Sequence, residues 1–179
     1  IEGYGMTEIP GALSVPYDGP YKLASMGKPG VHADPSRTWT ETRVVDDEGR
    51  DAPHNVTGEL VVRTPTLMQG YYRDPEQTAA SFRDGWFLSG DLVRRDEDGY
   101  FFFVARKKDI IRRRGENIAG AELDRVIGEH PGVAEVAAIA VDSELGEDDI
   151  MAVVVAKAGA KLTAGEVGSW CAERLAAHK

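Results

Sequence analysis

The chain has 179 residues, 42% of them hydrophobic, and a formal net charge of -9. That length and apolar content suffice for a core in one domain or two small ones, while the negative balance argues against nucleic acid as a partner. Cys171 is the only cysteine, which rules out an intrachain disulfide and suits a reducing, cytoplasmic compartment; no apolar run reaches the length of a membrane span, and no signal-peptide pattern opens the chain.

Residues 1–36 are rich in Gly and Pro with little periodicity and read as loops and short strands. Thr40 to Val45 reads as a strand closed by the turn signal Asp46-Asp47-Glu48-Gly49. Gly58 to Thr64 reads as another, with Leu60 and Val62 on one face and Val61 and Arg63 on the other. Asp74 as N-cap and Pro75 at the first position predict a short helix reaching Phe82. Trp86–Leu88, Leu92–Arg94 and Tyr100–Val104 read as strands, the last two joined by an Asp98-Gly99 turn.

The pattern then changes. Ile110-Ile111 and Asn117-Ile118 flank a hairpin at residues 113–116. Leu123, Val126, Ile127 and His130 fall at helical spacing, and Pro131-Gly132 ends that helix. Val133–Val141 and Ile150–Ala156 read as strands, and Val167, Trp170, Cys171 and Leu175 mark a last amphipathic helix. The order predicts an α+β protein, with an antiparallel β-rich part over 1–107 and a small α+β domain over 108–179.

Three stretches carry chemistry. Tyr4-Gly5-Met6-Thr7-Glu8 offers an aromatic plate, a glycine that lets a backbone approach, a hydroxyl and a carboxylate. Tyr4 suits stacking on a purine, Thr7 a phosphate oxygen, and Glu8 a magnesium ion, a hard cation that prefers oxygen ligands. An ordinary glycine turn is the competing reading. Gly85 to Asp91 (GWFLSGD) ends in Ser-Gly-Asp, a tight turn in which Asp91 suits two vicinal hydroxyls; a plain surface turn competes. Residues 98–124 (DGYFFFVARKKDIIRRRGENIAGAELD) string together a turn, an aromatic strand, a basic joint, a Gly hairpin and a helix start. Arg112, Arg113 and Arg114 read mainly as a solvated face, with phosphate groups as the alternative. The four histidines and Cys171 lack ligand-like spacing, and Trp39, Trp86 and Trp170 read as core.

Together these stretches resemble the adenylate-forming superfamily, which holds the acyl-CoA synthetases, the luciferases and the peptide-synthetase adenylation domains. The resemblance spans nearly the whole chain. It implies that residues 1–107 are the end of a large AMP-binding N-terminal domain and 108–179 a hinge and C-terminal lid. It implies ATP/AMP, Mg2+ and CoA as cofactors and a small carboxylic acid as substrate. By matching position it makes Thr7 and Glu8 catalytic at the phosphates, with Glu8 on the metal. Tyr4 and Gly5 then hold the nucleotide, Asp91 the ribose, and Arg106 the ribose region. Lys108 is the hinge, and Gly115 lies beside the path of the pantetheine thiol.

There are departures. Ser89 stands where Thr is usual, Ala105 and Thr64 where Gly is, and Gly120 where Pro is. The Gly/Ser/Thr-rich phosphate loop is absent upstream of Tyr4, and the end LAAHK lacks the segment with the adenylation lysine, so Lys179 is not that lysine. With Ile1 already beside a motif, the natural start is expected upstream. The expectation is therefore a piece of an acid–CoA ligase, inactive by itself. RGENI and ELGEDDIMAVVV look most like free-standing ligases of the carnitine/crotonobetaine-CoA type. An aryl-acid AMP ligase, a peptide-synthetase domain and a silent nucleotide-binding module stay open, as does an oligomeric state. No integral membrane contact is expected.

Overall fold

The computed structural model describes residues 3–113, 115–143 and 147–176. They form two compact units, Ile1–Val104 and Ala105–Lys179. The sequence expectation set the change of architecture at residues 107–108; the units divide between Val104 and Ala105.

The first unit opens with β1 (Gly3–Met6), β2 (Ile9–Ser14) and β3 (Lys28–Pro29), an antiparallel sheet in that order. Thr7 and Glu8 make the β1–β2 turn. Gly27 precedes β3 at φ +90°, where a Cβ would stand 2.0 Å from the Ser14 carbonyl carbon. Only glycine admits that approach.

A second sheet holds five strands: β4 (Glu41–Val45), β5 (Gly58–Arg63), β6 (Phe82–Arg83), β7 (Trp86–Arg95) and β8 (Phe101–Arg106). The order is β4-β5-β7-β6, with β8 also paired to β7. Leu60 and Val62 enter the core with Ile9, Leu13, Val44, Phe87, Val93 and Phe101. Val61, on the opposite face, is buried too. It shares a small cleft with Trp86, on whose ring Arg63 and Arg43 lie at 4.4 and 5.5 Å. Helix α1 (Pro75–Ala80) starts as its capping residue dictates, Asp74 accepting from the Gln77 N–H.

The second unit takes in the last two residues of β8 and then makes a single turn of 3-10 helix, Lys107–Asp109. Strands β9 (Ile110–Arg113) and β10 (Glu116–Ala119) form a hairpin in which Arg113 pairs with Glu116. Helix α2 (Gly120–Gly128) lies on β11 (Val133–Asp142), which pairs antiparallel with β12 (Asp148–Ala156); α3 (Ala164–Ala172) follows. Ile111, Ile118, Leu123, Ile127 and Val133 make the core, with Val167, Cys171 and Leu175 at its margin. A capping box between Thr163 and Glu166 opens α3, and the Trp170 indole donates to the Val126 carbonyl at 2.8 Å. The architecture is α+β, with antiparallel sheets and few helices. The three tryptophans read as core are half-buried instead, each carrying a polar or cationic neighbour. Among the described residues no helix is long and apolar enough to cross a membrane.

Candidate nucleotide site on the first unit

Tyr4 and Asp91 are 87 residues apart in sequence and meet in space: the Tyr4 hydroxyl donates to Asp91 Oδ2 at 2.6 Å. Local structure on each side explains the meeting. Tyr4 pairs with Leu13 in the β1–β2 hairpin. At Gly5 a Cβ would come within 2.7 Å of the Gly11 nitrogen, so the hairpin itself demands the glycine.

Asp91 does not lie on a terminal turn, as Ser-Gly-Asp suggested. It lies inside the continuous strand β7. Glu59 pairs with Leu92 and Val61 with Leu88, so Ser89, Gly90 and Asp91 together face Leu60 alone. This is a β-bulge, made feasible by Gly90 at φ +71°. Neighbouring groups satisfy it. The Ser89 hydroxyl donates to the Leu60 carbonyl at 2.6 Å and accepts the Asp91 N–H at 3.1 Å, while the Gly90 N–H donates to Glu59 Oε1 at 3.1 Å. The hydroxyl kept at Ser89 therefore shapes the bulge. Phe87, Ser89, Asp91 and Val93 share the inward face, and Asp91 is 1% exposed.

Glu8 is half-buried at the hairpin turn, beside the exposed Thr7. Its carbonyl accepts the Met68 N–H at 2.9 Å, and its Oε1 accepts the Tyr71 hydroxyl at 2.9 Å. Burial first, then the Glu8 carboxylate, raises the Tyr71 phenol above its ordinary value, so it stays a donor. Tyr71 is not among the site residues named from the sequence. Its one signal was the Gly70-Tyr71-Tyr72 turn, which does not reveal a partner 63 residues away.

Arg106, Lys108 and Gly115 belong to the second unit. Arg106 is exposed at the end of β8, and Lys108 is exposed in the 3-10 turn. Gly115 has φ +75°, and among the described residues no atom lies within 4 Å of where its Cβ would stand. Arg114, Glu144, His178 and Lys179 lie outside the described residues. A cavity of about 540 Å3 sits between β12, α2 and α3. Ile150, Val154, Leu162, Val167 and Cys171 line it, and none of the predicted site residues does. Among the described residues no three His, Cys, Asp or Glu side chains gather as a metal cage.

Known proteins bear on this geometry. The model of the AMP-binding enzyme matches residues 1–72, and that of the AMP-binding enzyme C-terminal domain matches residues 122–179. A feruloyl-CoA synthase of an Amycolatopsis species is 40% identical over all of this chain and 35% of its own length. A sulfoacetate–CoA ligase of Cupriavidus necator is 37% identical over all of this chain and 34% of its own. The crystal structure of ATP-bound MatB from Rhodopseudomonas palustris superposes with a TM-score of 0.83 at 34% identity, covering 98% of this chain and 34% of that one. The chain thus spans about a third of the length of the relatives it matches. Two family models in the expected order and a shared fold at this identity place the chain in the AMP-binding enzyme family.

Proposed function

We propose that this chain is part of an ATP-dependent acid–CoA ligase. A carboxylate oxygen attacks the α-phosphorus of ATP, giving an acyl adenylate and releasing pyrophosphate. The thiol of CoA then attacks the acyl carbon and AMP departs. The observation that carries the reading is the contact between Tyr4 and Asp91, which sets an aromatic ring of one sheet beside a carboxylate of the other. A purine stacks on such a ring, and vicinal hydroxyls donate to such a carboxylate, here in place of the Tyr4 hydroxyl.

The other roles follow by position. Thr7, exposed in the turn, donates to a phosphate oxygen. Glu8, oriented by Tyr71, would hold magnesium. One carboxylate suits that ion, which draws its other ligands from water and phosphate, and when bound it neutralises phosphate charge. Gly5 keeps the hairpin narrow beneath the nucleotide. By matching position Arg106 is assigned to the ribose, Lys108 to the hinge of an exchangeable lid, and Gly115 to the room left for the pantetheine thiol. Relatives named for acids as unlike as ferulate and sulfoacetate match equally well, so the substrate class is a carboxylic acid. We place the enzyme in the cytoplasm.

The test uses the full-length enzyme that carries this chain. Acid-dependent ATP–pyrophosphate exchange and CoA thioester formation are expected. Asp91→Ala is expected to weaken AMP binding about ten- to a hundredfold, from the loss of charge-assisted bonds worth about 1.5–3 kcal/mol. Unchanged AMP affinity by calorimetry, with no exchange for any acid tried, would sink the reading.

A further inference from the structure

The hairpin β9–β10 has a second set of partners that no role described so far uses. The Arg112 N–H donates to Asp148 Oδ2 at 2.7 Å. The Gly115 N–H donates to Glu147 Oε1 at 3.3 Å. Arg113 Nε faces Asp149 Oδ1 at 3.4 Å. Three consecutive carboxylates at the start of β12 thus hold the outer side of one hairpin.

We infer that this acidic run, Asp148 above all, positions the hairpin tip and so sets where Gly115 is presented to the acceptor thiol. The inference rests on the proposed function. A two-stranded hairpin is marginal on its own. In this sheet β9 pairs only with β10, so among the described residues no second strand is hydrogen-bonded to its other edge, although β12 lies close by. Asp148 supplies there the acceptor that a neighbouring strand would have supplied. A carboxylate is a stronger acceptor for a backbone N–H than a neutral carbonyl. The distances rank the three. Asp148 is half-buried and at normal hydrogen-bond length; Glu147 is exposed and its bond is long; Asp149 makes a partly exposed ion pair. Among the described residues nothing beyond its chain neighbours lies within 4 Å of where a Gly115 Cβ would stand, and the Glu147 carboxylate is the contact that reaches its N–H.

Asp148→Ala removes the acceptor, and Asp148→Asn keeps one oxygen. In this chain, amide hydrogen exchange at Arg112 is expected to rise about tenfold in Asp148→Ala, one hydrogen bond's worth, and to stay near the parent rate in Asp148→Asn. In the full-length enzyme, Asp148→Ala is expected to keep pyrophosphate exchange within about twofold, to lose about tenfold in kcat/KM for CoA, and to be rescued by Asp148→Asn. Equal Arg112 exchange in all three proteins overturns the clamp, whatever the enzyme does. Faster exchange with both half-reactions falling together reduces Asp148 to a structural residue and overturns its positioning role. Absence of CoA transfer in the parent enzyme overturns the proposed function and the positioning role with it, and the amide data tell that failure from the first.

Discussion

Asp96 and Asp91 are both withdrawn from water, and each is answered by a group from a distant part of the chain. Burial alone would raise the Asp96 pKa. The Lys22 ammonium at 2.6 Å and the Tyr100 N–H at 2.9 Å outweigh it and hold the carboxyl below the ordinary 3.8. Lys22 is raised above 10.5 in turn, by its bonds to Asp96 and Asp98. A depressed acid contributes stability above its unfolded pKa and loses it as pH falls through the folded one. A raised amine contributes below its unfolded pKa and loses it as pH rises through the folded one. The pair therefore stabilises the fold between about pH 4 and pH 10. Asp96→Asn is expected to lower the melting temperature at pH 7, with the gap to the parent closing as the pH is taken below 3.8. A gap that stays constant into acid would show that the charge contributes nothing. At Asp91 the simpler change is Tyr4→Phe, which deletes one bond to a buried carboxylate and is expected to cost about 1–3 kcal/mol in urea unfolding. Tyr4 and Asp91 were legible because each sits in a compact motif. Tyr71 was not, because its bond to Glu8 exists only once the chain has folded.

Elements with local causes could be read directly, and those with distant causes could not. Asp74-Pro75 announces α1, the spacing of Val167, Trp170, Cys171 and Leu175 announces α3, and the β9–β10 hairpin follows from Gly115 between two short apolar runs. The strand broken at Ser89-Gly90-Asp91 was the chief misreading. A glycine at positive φ serves a turn and a bulge equally. What decides for the bulge is the Leu60 carbonyl and the Glu59 carboxylate, which belong to another strand. Gly120 is a second such case. It opens α2, and a Cβ there would stand 2.8 Å from the Ala138 carbonyl oxygen of β11. The same junction is tied by Asp124 Oδ1, which accepts the Ala138 N–H at 2.6 Å. Helix propensity alone favours Ala over Gly by about 1 kcal/mol. The clash reverses that sign, and Gly120→Ala is expected to destabilise the second unit by about 1–3 kcal/mol. A rise in its unfolding midpoint would show that α2 can shift to admit the methyl.

At the scale of the molecule, the division into two units with Lys108 just past it gives the hinge proposal its clearest test. Proline at position 108 fixes φ and removes an N–H in the 3-10 turn. In the full-length enzyme, well-folded Lys108→Pro is expected to keep pyrophosphate exchange and lose CoA thioester formation; equal loss of both would refute the hinge. The two units also differ in what can be seen of them. Cys171, the sole thiol in the sequence, is half-buried against the cavity beneath β12, and burial raises its pKa above the ordinary 9.0. Alkylation requires the thiolate and access, so labelling of the native chain should be slow. The chain thereby carries a clock for one half of itself. The alkylation rate reports openings of the second unit and is blind to the first, so Gly120→Ala should quicken it while Tyr4→Phe leaves it unchanged.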